Sequence, residues 1–432
     1  MFAIQDGSYL RGKPETVAST QKQGELAMKR IFQLTLAVML LVCSAPVAYA
    51  ADATNTVVSA QSDEQAIKET IQSYFDYEYQ ALSKLSDSTT KVTLLSMKER
   101  CFKPQSAIIE KMSTVLEMKI AFRAAKSDDL TFDKYSFNLD YKDISVTNNT
   151  ATLNFLLNED ICFNLCPTIH SKRGNIPYKV TLEKINEHWY ITEFTCEDDE
   201  TMKVYESLSK TLSTSSEIKE EYNKQIEKSI KEEAKTVIEN ANDESIPNET
   251  KATAYSYNRT NAQNYATTYA QSNNPSPWAT YSADCTNFIS IALYKGGIPK
   301  DRSGSSAERQ WYWDSSSSRT ASWTSAQYFR QYVYYNNNST STNYGLYATH
   351  STESNMQLGD IIQYCGEGSG TWSVDGRRKS THSSIVTYIV SFPRIILISQ
   401  HSFYSSSYSL NYPLSSMPYT VKHYLHIVRY YK

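Results

Sequence analysis

The sequence predicts an α+β protein, and three observations carry that reading. Between residues 60 and 125, apolar side chains recur at helical spacing. Between residues 135 and 195 they alternate, in runs broken by Asn148-Asn149 and Asn186-Glu187, pairs suited to tight hairpin turns. Beyond residue 250 a cysteine heads a short apolar segment, and several strand candidates follow it. Helices first and an antiparallel meander second is the α+β order. The 432 residues leave room for more than one domain. The expected division is an α+β domain over 60–200, a charged helical linker over 201–250 and a third region over 251–432.

Ser62 and Gln65 read as a capping box, with Ile67, Ile71, Tyr74 and Phe75 on one helical face. A second helix is expected over about 106–125, where Ile108, Ile109, Met112, Val115, Leu116 and Ile120 are apolar. Tyr135, Phe137, Leu139 and Tyr141 alternate with polar residues as a strand does. Strands 143–147 and 150–157 flank the first turn, and strands 178–185 and 188–195 the second. From 203 to 243, Ile218, Tyr222, Ile226 and Ile230 recur every four residues among Lys and Glu, a solvated helix with one apolar stripe. Pro247 marks the end of that linker. Tyr255 to Ala270 is expected to be helical. The Ser/Asn/Trp/Tyr-rich region 301–345, with Trp311, Trp313 and Trp323, reads as substrate-facing loops plus a short helix near 325–332. Strands are expected after Leu358-Gly359-Asp360 and over 382–390, 394–400 and 424–430.

Residues 28 to 50 have the layout of a secretory signal: Met28-Lys29-Arg30, an apolar run from Ile31 to Cys43, and Ala48-Tyr49-Ala50 before an expected cleavage. Met28 reads as the translation start and 1–27 as an upstream stretch. The apolar run is too short to span a bilayer, and no later segment is expected to cross one. After export, Cys101, Cys162, Cys166 and Cys196 are free to form two bridges. Cys162, Cys166, His170 and Cys196 also offer zinc-type ligands, in a spacing unlike the standard fingers. A formal net charge of −3 without a basic cluster argues against a nucleic-acid partner. No cofactor or metal is expected: there is no H-E-x-x-H, and G-x-S-x-G is missing too, which weakens a serine mechanism.

The chemistry is expected around Cys285, in the run W-A-T-Y-S-A-D-C-T-N-F-I-S-I-A-L-Y-K-G-G from Trp278 to Gly297. Asp284 as N-cap and Gly296-Gly297 as C-cap make Cys285 the first residue of a buried helix. The positive end of a helix dipole favours thiolate, so a depressed thiol pKa is expected. The plain alternative is a buried structural cysteine. The D-C-T-N-F run, the segment Tyr257 to Ala270, the G-G-I-P that follows and the later H-S-S-I-V together resemble the putative amidase domain family over roughly 250–432. That group comprises papain-like secreted cysteine amidases and peptidases of Gram-positive bacteria, related in architecture to the CHAP cell-wall hydrolases. The resemblance implies a C-terminal papain-like cysteine hydrolase domain. The preceding α+β region resembles the cystatin-like folds often placed before such domains, and no motif fixes that likeness.

A cysteine hydrolase needs a base, a group that orients the base, and oxyanion donors. His382 opens the apolar strand H-S-S-I-V-T-Y-I-V and is the expected base, on its position and on the resemblance. His401, at the end of the next strand, is the favoured orienting group, with Gln400 and Asn411 as alternatives. The Cys285 backbone N–H, helped by Tyr281, is the expected oxyanion donor. His350, His423 and His426 read as structural or exposed. The resulting expectation is a secreted cysteine amidase or peptidase acting on a peptide or cell-wall polymer such as peptidoglycan. The alternative is a wall-binding or adhesion module on the same scaffold.

Overall fold

The computed structural model describes residues 55–85, 87–241, 254–337, 345–366, 369–391, 393–401, 407–418 and 421–431. The expected export signal and the linker end at 243–250 lie outside these residues. The front half begins with helices α1 (Asn55–Lys84), α2 (Asp87–Cys101) and α3 (Ala107–Ala124). α1 runs straight through Ser62, so the expected capping box is not a helix start; Gln65 Nε2 instead donates to Glu69 Oε1 one turn on. The second helix lies where periodicity placed it, with Ser106 at its N-cap. Helix α2, rich in Ser and Thr, has no counterpart in the sequence reading.

Four antiparallel strands follow: β1 (Phe132–Thr147), β2 (Thr150–Phe163), β3 (Ser171–Ile185) and β4 (His188–Cys196). Asn148, Asn186 and Glu187 take positive φ, which is the backbone shape that twisted hairpin turns require. The inner face of this meander buries Phe155, Val180, Trp189 and Phe194 against Ile71, Tyr74 and Phe75 of α1. Helices α4 (Glu200–Leu208) and α5 (Ser215–Ala241) come next. The first part of the α5 stripe is not left to solvent: Ile218, Tyr222 and Ile226 are buried with Met118 of α3, while Ile230 is exposed.

The back half opens with β5 (Ala254–Ser256), α6 (Arg259–Tyr269) and α7 (Cys285–Lys295). The small hairpin β6 (Trp313–Ser315) and β7 (Ser318–Arg319) precedes α8 (Ala321–Thr324) and α9 (Ala326–Asn337). Then come β8 (Gly345–Ser351), β9 (Ile361–Cys365), β10 (His382–Val390), β11 (Ile395–His401), β12 (Tyr408–Pro413) and β13 (Val421–Tyr431). The tryptophans expected to face substrate are core residues. Trp311, Trp313 and Trp323 are buried with Trp278, and Trp278 and Trp323 stack at 5.6 Å. Their indole N–H groups reach Ser290, Tyr281 and Asn287, which is what allows tryptophan to be buried there.

The two halves are not joined by a linker alone. Lys172, Arg173 and Gly174 of β3 pair with Leu410, Ser409 and Tyr408 of β12. Among the described residues, eleven strands therefore run as one sheet across both halves. The largest apolar core crosses the same line, placing Tyr364, Val386, Ile396, Ile398 and Tyr424 with the residues of α1 and the meander. Residues 60–432 accordingly form one compact unit. The observed class is mixed α and β with antiparallel pairing, as expected.

Candidate active site

Helix α7 is buried along almost its whole length, with Phe288, Ile289, Ile291, Ala292 and Leu293 fully enclosed. Such a helix packs across the sheet and presents its first residue, Cys285, at the start of β10. There the backbone N–H of Ser383 donates to the Cys285 thiol. The neighbouring Thr286 Oγ1 lies 3.2 Å from Ser383 Oγ and 3.6 Å from Cys285 Sγ. Cys285 and the residue directly after His382 are therefore in contact, although 97 residues separate Cys285 from His382 in sequence (382 − 285).

His382 Nε2 lies 2.9 Å from Gln400 Oε1. The amide oxygen accepts, so Nε2 carries the proton and Nδ1 keeps the basic lone pair. The sequence reading favoured His401 for this place, and the pairing of β10 with β11 explains why Gln400 has it. Ile385 stands opposite Ser399. One step on, Gln400 falls opposite Ser384, on the face that His382 shares. His401 points the other way, where its ring stacks on Phe288 of α7 with centroids 4.1 Å apart. Its two nitrogens face Asp284 Oδ2 at 2.6 Å and the Tyr269 carbonyl at 3.1 Å, so neither serves His382. Asn411 bonds Thr387 instead. Gln400 was legible only through strand parity.

Asp284 also departs from its expected part. Its carboxylate does not cap α7. Oδ1 accepts from the Tyr281 N–H and from Asn287 Nδ2, while Oδ2 accepts from Asn274 Nδ2 and pairs with His401. This buried knot ties the loop before Cys285 to the end of β11. Tyr281 accepts a hydrogen bond from Trp313 Nε1 through its hydroxyl.

The site is nearly closed: Cys285 and His382 are each 3% exposed and Gln400 8%. Burial pushes the Cys285 thiol up from its ordinary value, against the Thr286 hydroxyl and the N–H groups of Ser383 and Thr286, which favour thiolate. The expected depression is thus reversed. Burial also lowers His382 to about 4, opposed by the Gln400 bond and by Glu200 and Asp198 of the front half. The resting pair at neutral pH is thiol and neutral imidazole, not an ion pair.

Other titratable groups lie apart. Cys365 Sγ is 3.2 Å from His423 Nε2, and burial pushes that thiol up to about 12. His426 bonds Asp360 at 2.8 Å in a structural cluster with Arg259. His170 is exposed beside Asp160. Cys101, Cys162, Cys166 and Cys196 are all free, buried thiols, so the expected bridges are not formed. Among the described residues, no group of three or more His, Cys, Asp or Glu is placed to hold a metal, and no helix is long and apolar enough to cross a membrane.

Comparison with known proteins gives two findings. The sequence model of the putative amidase domain family matches residues 256–428. The uncharacterized protein YhbB of Bacillus subtilis (strain 168) is 31% identical over 121 residues, which is 28% of this chain and 36% of that relative. The chain thus covers about a third of the relative's length. Both Cys285 and the His382–Gln400 pair fall inside residues 256–428, the segment of the chain that matches the putative amidase domain family.

Proposed function

We propose that this protein is a cysteine amidase or peptidase that cuts amide bonds by way of a thioester on Cys285. The observation that carries this reading is the His382–Gln400 bond at 2.9 Å, set beside a thiol that accepts the Ser383 N–H at the head of α7. The family match over residues 256–428 supports amide hydrolysis in general. In the proposed cycle the Cys285 proton passes to His382 Nδ1 as sulfur attacks the carbonyl carbon. The Cys285 N–H at the helix start faces the developing oxyanion. The C–N bond then breaks, and His382 returns the proton to the leaving amine. Water, deprotonated by the same imidazole, hydrolyses the thioester and frees the thiol. Gln400 fixes the tautomer throughout.

Because both groups rest neutral, thiolate forms only as the proton moves, in a general-base pattern. The substrate we propose is a peptide or cell-wall polymer such as peptidoglycan in a Gram-positive envelope, on the export layout of residues 28–50 and the family resemblance. Protein recovered outside the cell should then begin at Ala51, and a mature N-terminus retaining residues 31–43 would refute export by this route.

The test of mechanism is turnover of a peptidoglycan-derived peptide by Cys285→Ala and His382→Ala. Cys285→Ala should abolish cleavage while leaving the melting curve in place, and undiminished cleavage by that variant rejects the assignment. One observation favours a second reading, a non-catalytic wall-binding module: Cys285 is 3% exposed. Mass-mapped iodoacetamide labelling during incubation with the peptide separates the two. Substrate-protected labelling at Cys285 supports the enzyme, and peptide binding that leaves an unreactive thiol supports the module.

A further inference from the structure

Two residues beside the reacting groups have side chains that the cycle above does not use. Thr286 follows Cys285 at the head of α7, and Ser383 follows His382 at the head of β10. Ser383 stands opposite Gln363 of β9, so the two side chains share a face of the sheet. Thr286, Ser383 and Gln363 are each fully buried. Their hydrogen bonds run in one direction. Gln363 Nε2 donates to the Ala326 carbonyl at 2.8 Å and to Ser383 Oγ at 3.2 Å. Gln363 Oε1 accepts from Ser380 Oγ at 3.1 Å. Turning the amide over would set its oxygen against the Ala326 carbonyl, so the donor end is fixed where it is. Ser383 Oγ therefore accepts from the amide and turns its own proton toward Thr286 Oγ1, 3.2 Å away. Thr286 Oγ1 accepts there and turns its proton to Cys285 Sγ at 3.6 Å. In the reverse order the buried Ser383 proton would face the Gln363 N–H with no acceptor, a costly arrangement.

We propose that Gln363, Ser383 and Thr286 form a directed hydrogen-bond relay that holds a hydroxyl proton on the Cys285 sulfur, which makes all three positioning residues for the nucleophile. The inference rests on the proposed role of Cys285 and extends it. With the Ser383 N–H, the relay gives sulfur two donors in a site closed to water. A hydrogen bond strengthens when its acceptor becomes charged. The relay is therefore worth more to the thiolate that forms during proton transfer than to the resting thiol, which is what speeds a chemical step. Fixed protein donors here take the place of the water shell that a solvated thiolate would have.

The test uses the full chain and two readouts. One is kcat and KM on a peptidoglycan-derived peptide. The other is the rate at which methyl methanethiosulfonate, a reagent small enough for a confined thiol, modifies Cys285 at fixed pH, mapped by mass. Thr286→Val deletes the donor and keeps the shape. It should slow both modification and kcat by about ten- to a hundredfold, the worth of one hydrogen bond to a charged group, and leave KM in place. Thr286→Ser keeps the hydroxyl and should restore most of both rates. Gln363→Glu sets an acceptor where the amide donated, which draws the Ser383 proton back and reverses the relay. It should slow modification too, although two hydroxyls stand between it and the sulfur. Ser383→Ala cuts the relay midway and serves if Gln363→Glu does not fold. Thr286→Val modified as fast as the wild type overturns the relay, as does Thr286→Ser modified as slowly as Thr286→Val. Wild-type rates in both Gln363→Glu and Ser383→Ala overturn its direction. A wild-type Cys285 that the reagent never modifies overturns it as well, because the sulfur then offers no thiolate. Slowed modification beside cleavage that survives Cys285→Ala keeps the relay and sinks the nucleophile. Cleavage lost in Cys285→Ala beside unaltered modification in Thr286→Val does the reverse.

Discussion

Burial shifts both Cys285 and His382 away from their ordinary protonation, and two measurements follow. His382 is held neutral down to about pH 4 by burial. If it is the base, kcat/KM should stay flat on the acid side through pH 5 and fall only near pH 4, as the imidazole takes up a proton. An acid limb centred near 6.5 would mean that the base is solvated. Stability should follow the same groups. An unfolded histidine binds protons from about pH 6.5 downward, while folded His382 waits until about 4. The unfolded chain therefore binds more protons across that interval, and the folded state loses stability as pH falls through it. His350, lowered well below its ordinary value, and His423, lowered to about 3, add to the same slope. A melting temperature that held constant from pH 6.5 to 4 would contradict this. His382→Ala should cost a hundred- to ten-thousand-fold in rate, the usual worth of general-base assistance. Gln400→Ala should cost less, because it only orients, and His401→Gln should act chiefly on stability through Asp284. At this scale the sequence marked Cys285 and His382 as candidates, since each stands at the head of a distinct element. It hid the orienting group because Gln400 and His401 are adjacent, and only the facing of two strands separates them.

Among the elements, the joint between β3 and β12 is the most sensitive. Gly174 lies opposite Tyr408. A Cβ placed on Gly174 would collide with the Tyr408 hydroxyl and ring, and would come within 2.6 Å of Asn158 Oδ1. Gly174→Val should therefore push the two strands apart, at a cost in the range of about 1–3 kcal/mol that overpacking brings. Adding Tyr408→Ala should recover part of the loss in melting temperature, and a double variant no better than the single would place the strain elsewhere. Periodicity located helix α3, the hairpins and strands β9 to β11 well. It could not show that β3 continues past Tyr178 to Ser171, because Lys172, Arg173, Gly174 and Asn175 look like a polar loop. They are strand because β2 pairs with them on one side and a strand more than two hundred residues away on the other, relations that their own polar composition does not carry. The tryptophans of 301–345 misled for a related reason: polar neighbours surround them in sequence, while in the fold they stack on one another.

Over the whole molecule, the expectation of separable domains gives way to one sheet and one shared core. Residues 60–432 should unfold in a single calorimetric transition, and two resolved peaks would contradict the shared core. A fragment spanning 251–432 would bare Tyr364, Val386, Ile396, Ile398 and Tyr424 together with the open edge of β12. Exposed edges and apolar faces of that size promote association, so the fragment should bind hydrophobic dyes and aggregate where the full chain does not. Composition hinted at none of this, because a charged helix between two patterned regions looks like a spacer. Only the burial of Ile218, Tyr222 and Ile226 shows that the helix is packed.

The three residue pairs that sew β3 to β12 bear on how such a half can be inherited. The family match takes in β12 but none of the meander that completes it. A back half moved by recombination onto a different front would arrive with a raw strand edge and His382 uncovered. It would prosper only beside a sequence able to offer a strand of its own at that margin. Chimeras of this chain should therefore sort by whether the donor front ends in a free strand, and not by how closely it resembles the front it replaces.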